Sequence, residues 1–486
     1  MRQEHASLTP HGTDAIRLKV NGTLEPSRKS ALGQFMTPSV IADFMASLFA
    51  PSDSPASLMD AGAGIGSLTI AAVRRLANVA SVDAWEIDPI MLEHLGANLK
   101  NLGVKHRVLA ADFIESAVRQ IALSSSGRYT HAILNPPYKK LNSASVHRAL
   151  LRKAGIETVN FYTAFVALCV LLMQDQGQVV AIIPRSFCNG PYYRPFRELL
   201  LSTCSLERIH VFEARNRAFK DDDVLQENVI IKLVKGKKQG DIVVSTSHDQ
   251  QLTDYSERKW PFREVVKPAD LESFIHVPTE EQARHEGTSP FQCSLTEIGL
   301  DVSTGPVVDF RLKDYWLENP APGSVPLLYP HHFSSGKLQY PKRHKKPNAL
   351  RDGEEVRKWL MPNGCYVIVK RFSSKEERRR VVAYVVSPGD IKCNQVGFEN
   401  HWNVFHHGRR GIDPVLARGL ACFLNSTVLD RHFRIFSGHT QVNATDLKNI
   451  KYSSTKSLRV LGEGFRSDMT QAEIDNLLRQ TNEQRN

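Results

Sequence analysis

The segment Asp60-Ala-Gly62-Ala-Gly64-Ile-Gly66 constrains this chain more than any other. It follows the apolar stretch 57–60 and opens a helical pattern through 68–76. Closely spaced glycines turn the backbone tightly and let it approach a ligand with no Cβ in the way, an arrangement that belongs at the carboxyl end of a buried strand. The surrounding pattern has the same rhythm. Strands are predicted over 80–86, 107–110, 129–134, 178–183, 208–212 and 228–234, and helices over 89–99, 114–123, 161–172 and 194–202. Asp88 is the expected N-cap of the helix that Pro89 begins. Strands alternating with helices imply an α/β fold, a doubly wound, mainly parallel, Rossmann-like sheet with ligands at the strand ends.

Beyond residue 240 this rhythm is lost. Strands become short and irregular, and a boundary is expected near 235–241, giving domains 1–240 and 241–486, the second of mixed α+β character. A helix is expected from Asp413-Pro414 through 417–429, with Cys422, Phe423 and Leu424 in its core. The 486 residues carry a net charge of +11, unevenly placed: 331–380 holds 14 basic against 5 acidic residues, while 241–330 is acidic by 8. A concentrated basic block permits a polyanionic partner.

Seven widely spaced cysteines with no Cys-x-x-Cys argue against a disulfide scaffold and for a reducing compartment. His331, His332, Cys393, His401, His406 and His407 match no zinc spacing, so no metal is expected. The start MRQEHASLTPHGTD lacks the apolar core of a signal peptide, and the most apolar run, 161–173, is too short to span a bilayer. No membrane partner is expected.

Three successive strand ends carry the Gly loop, then Glu86-Ile87-Asp88, then Ala111-Asp112-Phe113. A carboxylate about twenty residues beyond the loop suits ribose hydroxyls, and Asp-Phe suits an adenine amino group and ring face. The plainer alternative is that Glu86 and Asp112 cap helices and Phe113 is core. The spacing Gly62-x-Gly64-x-Gly66 departs from the dinucleotide fingerprint, and no Gly-Lys-Ser/Thr follows.

The fourth strand ends in Asn135-Pro136-Pro137-Tyr138. Two prolines stiffen the backbone and remove two donors, leaving carbonyl acceptors. A flat base with an exocyclic NH2 could give one N–H to Asn135 Oδ1 and one to the Pro136 carbonyl, while Tyr138 stacks on the extruded ring. Such an amine attacks a methyl electrophile directly, so positioning and electrostatics suffice.

This motif set, with Gln34-Phe-Met-Thr37-Pro38 ahead of it, resembles the gamma-group, TaqI-like S-adenosylmethionine-dependent DNA adenine-N6 methyltransferases over roughly residues 30–235. The resemblance implies S-adenosylmethionine as cofactor. Thr37 and Pro38 would cover its methionine end, with Asp60, Gly62 and Gly64 approaching the methionine part. Glu86 would hold the ribose, and Asp112 with Phe113 the adenine, with Ile87 a further cofactor contact. Asn135, Pro136, Pro137 and Tyr138 would be catalytic, with Phe219 as the second aromatic on the base. Phe187 or Phe212 are alternatives to Phe219, or core.

The resemblance assigns 241–486 to target recognition, and 437–447 is similar to the C-terminal part of PstI/BsuBI-type modification methyltransferases. Candidate DNA contacts are Lys342, Arg343, Lys345, Lys346, Arg409, Arg410, His439, Gln441 and Asn443, with Arg378-Arg-Arg380 nearby. Asn443 or Thr445 can equally be a helix N-cap. The expected partner is double-stranded DNA within a type II restriction-modification system, in the cytoplasm of a bacterium or archaeon. A separate endonuclease would be encoded nearby, and the chain would be a monomer or weak dimer. RNA or a protein glutamine amide is the alternative substrate, and an inactive DNA-binding module the alternative class; a dehydrogenase leaves Asn135–Tyr138 unexplained.

Overall fold

The computed structural model describes residues 10–23, 36–123, 127–142, 144–212, 227–249, 251–268, 270–278, 291–334, 336–373, 377–436 and 441–483. It divides into two compact units, 1–278 and 279–486.

The first unit is built on nine strands: β1 (Ala56–Ala61), β2 (Val79–Glu86), β3 (His106–Ala110), β4 (Tyr129–Leu134), β5 (Met173–Pro184), β6 (Cys204–Phe212), β7 (Asn228–Lys235), β8 (Ile242–Ser247) and β9 (Ser256–Trp260). Their order across the sheet is β3-β2-β1-β4-β5-β7-β6-β8-β9. β1 to β5 are parallel to one another, and β7 runs antiparallel between β5 and β6. The longer helices are α1 (Pro10–Thr23), α2 (Ser39–Ser47), α3 (Ser67–Arg75), α4 (Pro89–Asn101), α5 (Phe113–Leu123), α6 (Val146–Lys153), α7 (Phe161–Leu172) and α8 (Arg194–Thr203). The parallel sheet reads as near-continuous apolar runs because it is covered on both faces. Leu58, Val82, Ile133, Val180 and Ile230 are fully buried and pack against Ile41, Met45, Leu68 and Ala72 of α2 and α3. Asp88 caps α4, its carboxylate accepting from the Ile90 N–H at 2.9 Å, with Pro89 in the first turn.

The expected boundary at 240 lies inside this unit. β8 pairs in parallel with β6, and β9 returns antiparallel to β8, so the sheet continues to Trp260. The polar stretch 236–241 is a connection between strands of one sheet and leaves the fold unbroken.

The second unit holds a four-stranded antiparallel sheet in the order Asp301–Thr304, Trp402–His406, Tyr366–Lys370, Ala383–Val386. A five-stranded mixed sheet runs Trp316–Leu317, Ala349–Arg351, Ser324–Leu328, Gln395–Phe398, Met361–Pro362. A two-stranded ribbon of Phe333–Ser334 and Lys337–Leu338, the short helix Glu354–Arg357 and helices Pro414–Leu424, Thr427–Phe436, Ala444–Asn449, Thr455–Gly464 and Gln471–Glu483 accompany them. The single helix expected over 417–429 is therefore two, broken at Asn425-Ser426. The Asn425 side chain leaves the helix to bridge the Ala383 backbone, accepting from its N–H at 3.0 Å and donating to its carbonyl at 2.9 Å. Cys422, Phe423 and Leu424 are core, as expected.

Candidate functional site

The carboxyl ends of β1, β2 and β4 and the segment after β3 surround a cavity of about 290 Å³. Its lining includes Thr37, Gly62, Gly64, Glu86, Ile87, Asp112, Phe113, Asn135 and Pro137, residues drawn from five separate sequence motifs. Parallel strands produce this convergence, because each ends on the same edge of the sheet.

The loop after β1 has Gly62, Gly64 and Gly66 at φ of 78°, 58° and 90°, in the left-handed region. A Cβ at Gly64 would meet no protein atom within 4 Å, although the residue lines the cavity. The backbone there is bare towards a ligand. Glu86 fastens the loop to β2. Its Oε2 accepts from the Gly64 N–H at 2.8 Å, and its Oε1 accepts from the N–H groups of Ile87 and Asp88, each at 2.8 Å. Burial raises the Glu86 carboxyl above its usual range, against these three bonds.

Asp60 lies beneath the loop and outside the lining. It is fully buried on β1, and its Oδ2 accepts from Thr69 Oγ1 of α3 at 2.6 Å. Burial, with a smaller contribution from the Glu86 charge, pushes its carboxyl up to about 7. Asp60 thus braces the loop against α3 instead of reaching the cavity.

The adenine-end candidates stand together. Phe113 is buried, with Trp85 and Phe165 rings at 5.3 and 4.9 Å between centroids. Asp112 Oδ1 accepts from the Glu115 N–H at 3.0 Å, which caps α5, so the capping alternative holds for this oxygen. Asp112 Oδ2 accepts from His147 Nε2 at 3.0 Å.

Asn135 Nδ2 donates to Thr37 Oγ1 at 3.1 Å. Tyr138 donates its hydroxyl to the Ile182 carbonyl of β5 at 3.1 Å and sets its ring edge-on to Tyr162 at 6.3 Å. Tyr138, Pro136 and Pro38 do not line the cavity. Pro38 is instead the N-cap of α2, its carbonyl accepting from the Ala42 N–H at 2.9 Å. Phe219 lies outside the described residues. Phe187 and Phe212 are core, at 1% and 2% exposed, so neither is available to a base from its present place.

Sequence reasoning missed several lining residues: Met36, Ile65, Met91, Lys139, His147 and Phe165. Phe161 and Phe165 sit four apart on α7, a spacing that puts both on one face. The others carry no sequence signal of their own. Met36, Ile65 and Met91 cluster with Val20 of α1, a helix the sequence reading did not foresee. α1 is tied to α2 by Asp14, which accepts from Ser39 N at 3.1 Å and from Ser39 Oγ at 3.0 Å.

In the second unit the basic run 342–346 divides. Arg343 and Lys345 are exposed. Lys342 Nζ donates to the His331 carbonyl at 3.0 Å, and Lys346 Nζ pairs with buried Asp309 at 2.6 Å, so these two side chains fasten the loop. Arg380 is fully buried and Arg379 donates to the Asn425 carbonyl at 2.9 Å, which withdraws both from a docking face. Arg409 and Arg410 are exposed on a turn at the end of strand Trp402–His406, and Arg409 reaches the Lys358 carbonyl at 3.4 Å. Asn443 is the N-cap of Ala444–Asn449, its N–H given to Asp446 Oδ2 at 3.0 Å. The capping alternative is the one the structure adopts. Gln441 is half-buried and bridges Phe372 through its backbone; His439 lies outside the described residues.

Among the described residues no three His, Cys, Asp or Glu side chains converge as metal ligands, and no helix is long and apolar enough to cross a membrane. His332 Nε2 donates to Asn348 Oδ1 at 2.9 Å, and His401 pairs with Glu399 at 2.6 Å.

Comparison with known proteins adds the lineage. Residues 70–219 match the Eco57I restriction-modification methylase family. The chain is 50% identical to the type II methyltransferase M.BsuBI of Bacillus subtilis over 484 residues, 96% of either chain. It is 40% identical to the type II methyltransferase M.PstI of Providencia stuartii over 490 residues, again 96% of each. The type II methyltransferase M.HincII of Haemophilus influenzae is 24% identical over 221 residues, 44% of this chain and 39% of its own. With identity at this level along nearly the whole length, the chain belongs to the type II restriction-modification methyltransferase family that includes M.BsuBI and M.PstI.

Proposed function

We propose that this protein transfers a methyl group from S-adenosylmethionine to the N6 of an adenine flipped out of duplex DNA, as the modification enzyme of a type II restriction-modification system. The observation that carries this reading is the position of Asn135 and Pro137 on the wall of the same cavity that Gly64, Glu86 and Asp112 line.

The residues present fit the cofactor. The bare backbone at Gly64 accommodates close approach, and Glu86 offers a carboxylate to ribose hydroxyls at the end of β2. Asp112 and Phe113 offer an acceptor and a ring face to adenine, with Thr37 towards the methionine end. When bound, S-adenosylmethionine supplies an electrophilic methyl group.

The chain's own part is to hold and polarise the amine. With Asn135 Nδ2 given to Thr37, the amide presents Oδ1 as acceptor. Oδ1 and the Pro136 carbonyl each take one N–H, so nitrogen lone-pair density turns away from the ring and towards the methyl donor. Pro136 and Pro137 keep these acceptors from collapsing onto the backbone. The Tyr138 hydroxyl bond to Ile182 fixes its ring as a stacking surface for the base. Phe219 is the proposed second face.

Exposed Arg343, Lys345, Arg409 and Arg410 are the proposed phosphate contacts of the second unit. A separate endonuclease would share the recognition sequence, and the enzyme would work in the cytoplasm as a monomer or weak dimer.

The test uses methyl-labelled cofactor with duplex DNA, structured RNA and protein offered in competition, followed by nucleoside analysis. Label is expected in N6-methyladenine from duplex DNA; label in cytosine, RNA or protein overturns the proposal.

A further inference from the structure

We infer that His147 is a positioning residue for the cofactor's adenine, holding the Asp112 carboxylate as an acceptor for the 6-amino group; this rests on the cofactor reading of the cavity. His147 sits on α6, in the stretch between the Asn135–Tyr138 motif and α7. Its Nε2–H donates to Asp112 Oδ2 at 3.0 Å, and its ring meets Phe161 edge-on at 5.4 Å between centroids. His147, Phe161, Asp112 and Phe113 all line the cavity. His147 and Asp112 are both partly exposed there, at 28% and 31%, so they face the space a ligand would enter.

The chemistry of the carboxylate makes the inference specific. Asp112 Oδ1 is directed by the Glu115 N–H at 3.0 Å, and Oδ2 by His147. Two donors from two different elements leave the carboxylate one orientation. Each oxygen retains a second lone pair, so an amine N–H can be accepted without breaking either bond. A carboxylate oxygen accepts from an amine N–H and repels the lone pairs of a 6-oxo group. Removing His147 leaves the Asp112 carboxylate held by the Glu115 N–H alone, and the ligand must then supply part of the ordering itself.

Binding of S-adenosylhomocysteine to the full chain by calorimetry tests this, together with binding of its hypoxanthine analogue, which carries oxygen in place of the amino group. Wild type should bind the adenine form and discriminate against the analogue; a wild type that binds neither overturns the cofactor reading, and the role of His147 falls with it. His147→Ala should weaken S-adenosylhomocysteine about tenfold, the loss of one hydrogen bond to a charged group, and reduce discrimination. His147→Phe keeps the ring volume and the Phe161 contact, protects against an uninformative loss of folding, and should show the same loss. His147→Gln, which restores a donor, should recover most of the affinity. kcat at saturating cofactor should stay within about twofold of wild type while KM for the cofactor rises, since the bond acts on binding alone. Unchanged affinity in His147→Phe, or an equal loss for both ligands, overturns the inference.

Discussion

Asn135 Nδ2 lies 3.1 Å from Thr37 Oγ1, a bond between residues 98 apart in sequence. It joins the segment before α2 to the end of β4 and, in the proposed reaction, would leave Oδ1 as the amide atom for the amine. Asn135→Ala removes the acceptor and should lower kcat by about 10²–10³, the usual size for one preorganised group in a transition state, with cofactor affinity retained. Thr37→Val keeps the shape but removes the oxygen that accepts Nδ2. It should lower kcat about tenfold, equivalent to roughly 1.4 kcal/mol, with little change in KM for DNA. Single-turnover methylation with labelled cofactor measures both. An unchanged rate in Asn135→Ala removes that residue from the chemistry.

Asp60 makes a pH prediction whose sign follows from burial. Its carboxyl is raised to about 7 in the fold, and an unfolded Asp titrates near about 4. Between these values the unfolded chain sheds a proton that the folded chain keeps, so this group's contribution falls as pH rises through that window and stays at its low level above it. Asp60→Asn keeps an acceptor for Thr69 and removes the titration. The stability gained by Asp60→Asn relative to wild type should therefore be larger at about pH 8 than at about pH 5, read from urea midpoints. A difference that does not vary with pH contradicts the raised carboxyl.

Sequence sufficed to place the motifs at strand ends. The glycine loop, Glu86, Asp112 and Asn135 each follow a strand whose apolar run is visible, and parallel pairing then brings those ends to one edge. It failed where position depends on which elements pack together. His147 meets Asp112 across 35 residues, and nothing local to α6 announces it. β8 and β9 follow a polar, Gly-containing connection that looks like a linker, and only the pairing of β8 with β6 and of β9 with β8 shows that the sheet continues. The basic runs misled in a different way. Charge is readable in a sequence, but whether a lysine faces solvent or a buried Asp309 is set by the fold.

Two glycines hold the C-terminal helices of the second unit together. A Cβ at Gly419 would stand 1.6 Å from the Leu458 carbonyl oxygen, and one at Gly462 would stand 1.9 Å from the Val415 carbonyl oxygen. Helices Pro414–Leu424 and Thr455–Gly464 therefore touch backbone to backbone, each glycine seated on the other helix. Either Gly→Ala change forces the pair apart along a core that contains Leu420, Leu458 and Leu461. Each should destabilise by about 1–3 kcal/mol or more, the scale of overpacking. Gly240→Ala is the control, because its Cβ would meet nothing within 4 Å. Chemical unfolding followed by circular dichroism distinguishes them, and a Gly419→Ala protein as stable as Gly240→Ala contradicts the close crossing.

The loop 342–346 predicts two separable effects from one basic run. Arg343 and Lys345 are exposed, whereas Lys346 neutralises Asp309, which is 4% exposed, and Lys342 holds the His331 carbonyl. If the exposed pair contacts phosphates, Arg343→Ala with Lys345→Ala should weaken DNA binding at all sequences. It should also reduce the slope of log affinity against log salt by about two, one per lost phosphate contact. Unfolding temperature should not change. Lys346→Ala leaves the Asp309 carboxylate buried without its cation, so it should lower the unfolding temperature, by roughly 2–4 °C for each kcal/mol lost. Salt-dependent fluorescence anisotropy on duplex DNA and thermal melts of the same proteins give both readings. A double variant that keeps the full salt slope places the phosphate contacts elsewhere, with exposed Arg409 and Arg410 as the next residues to replace.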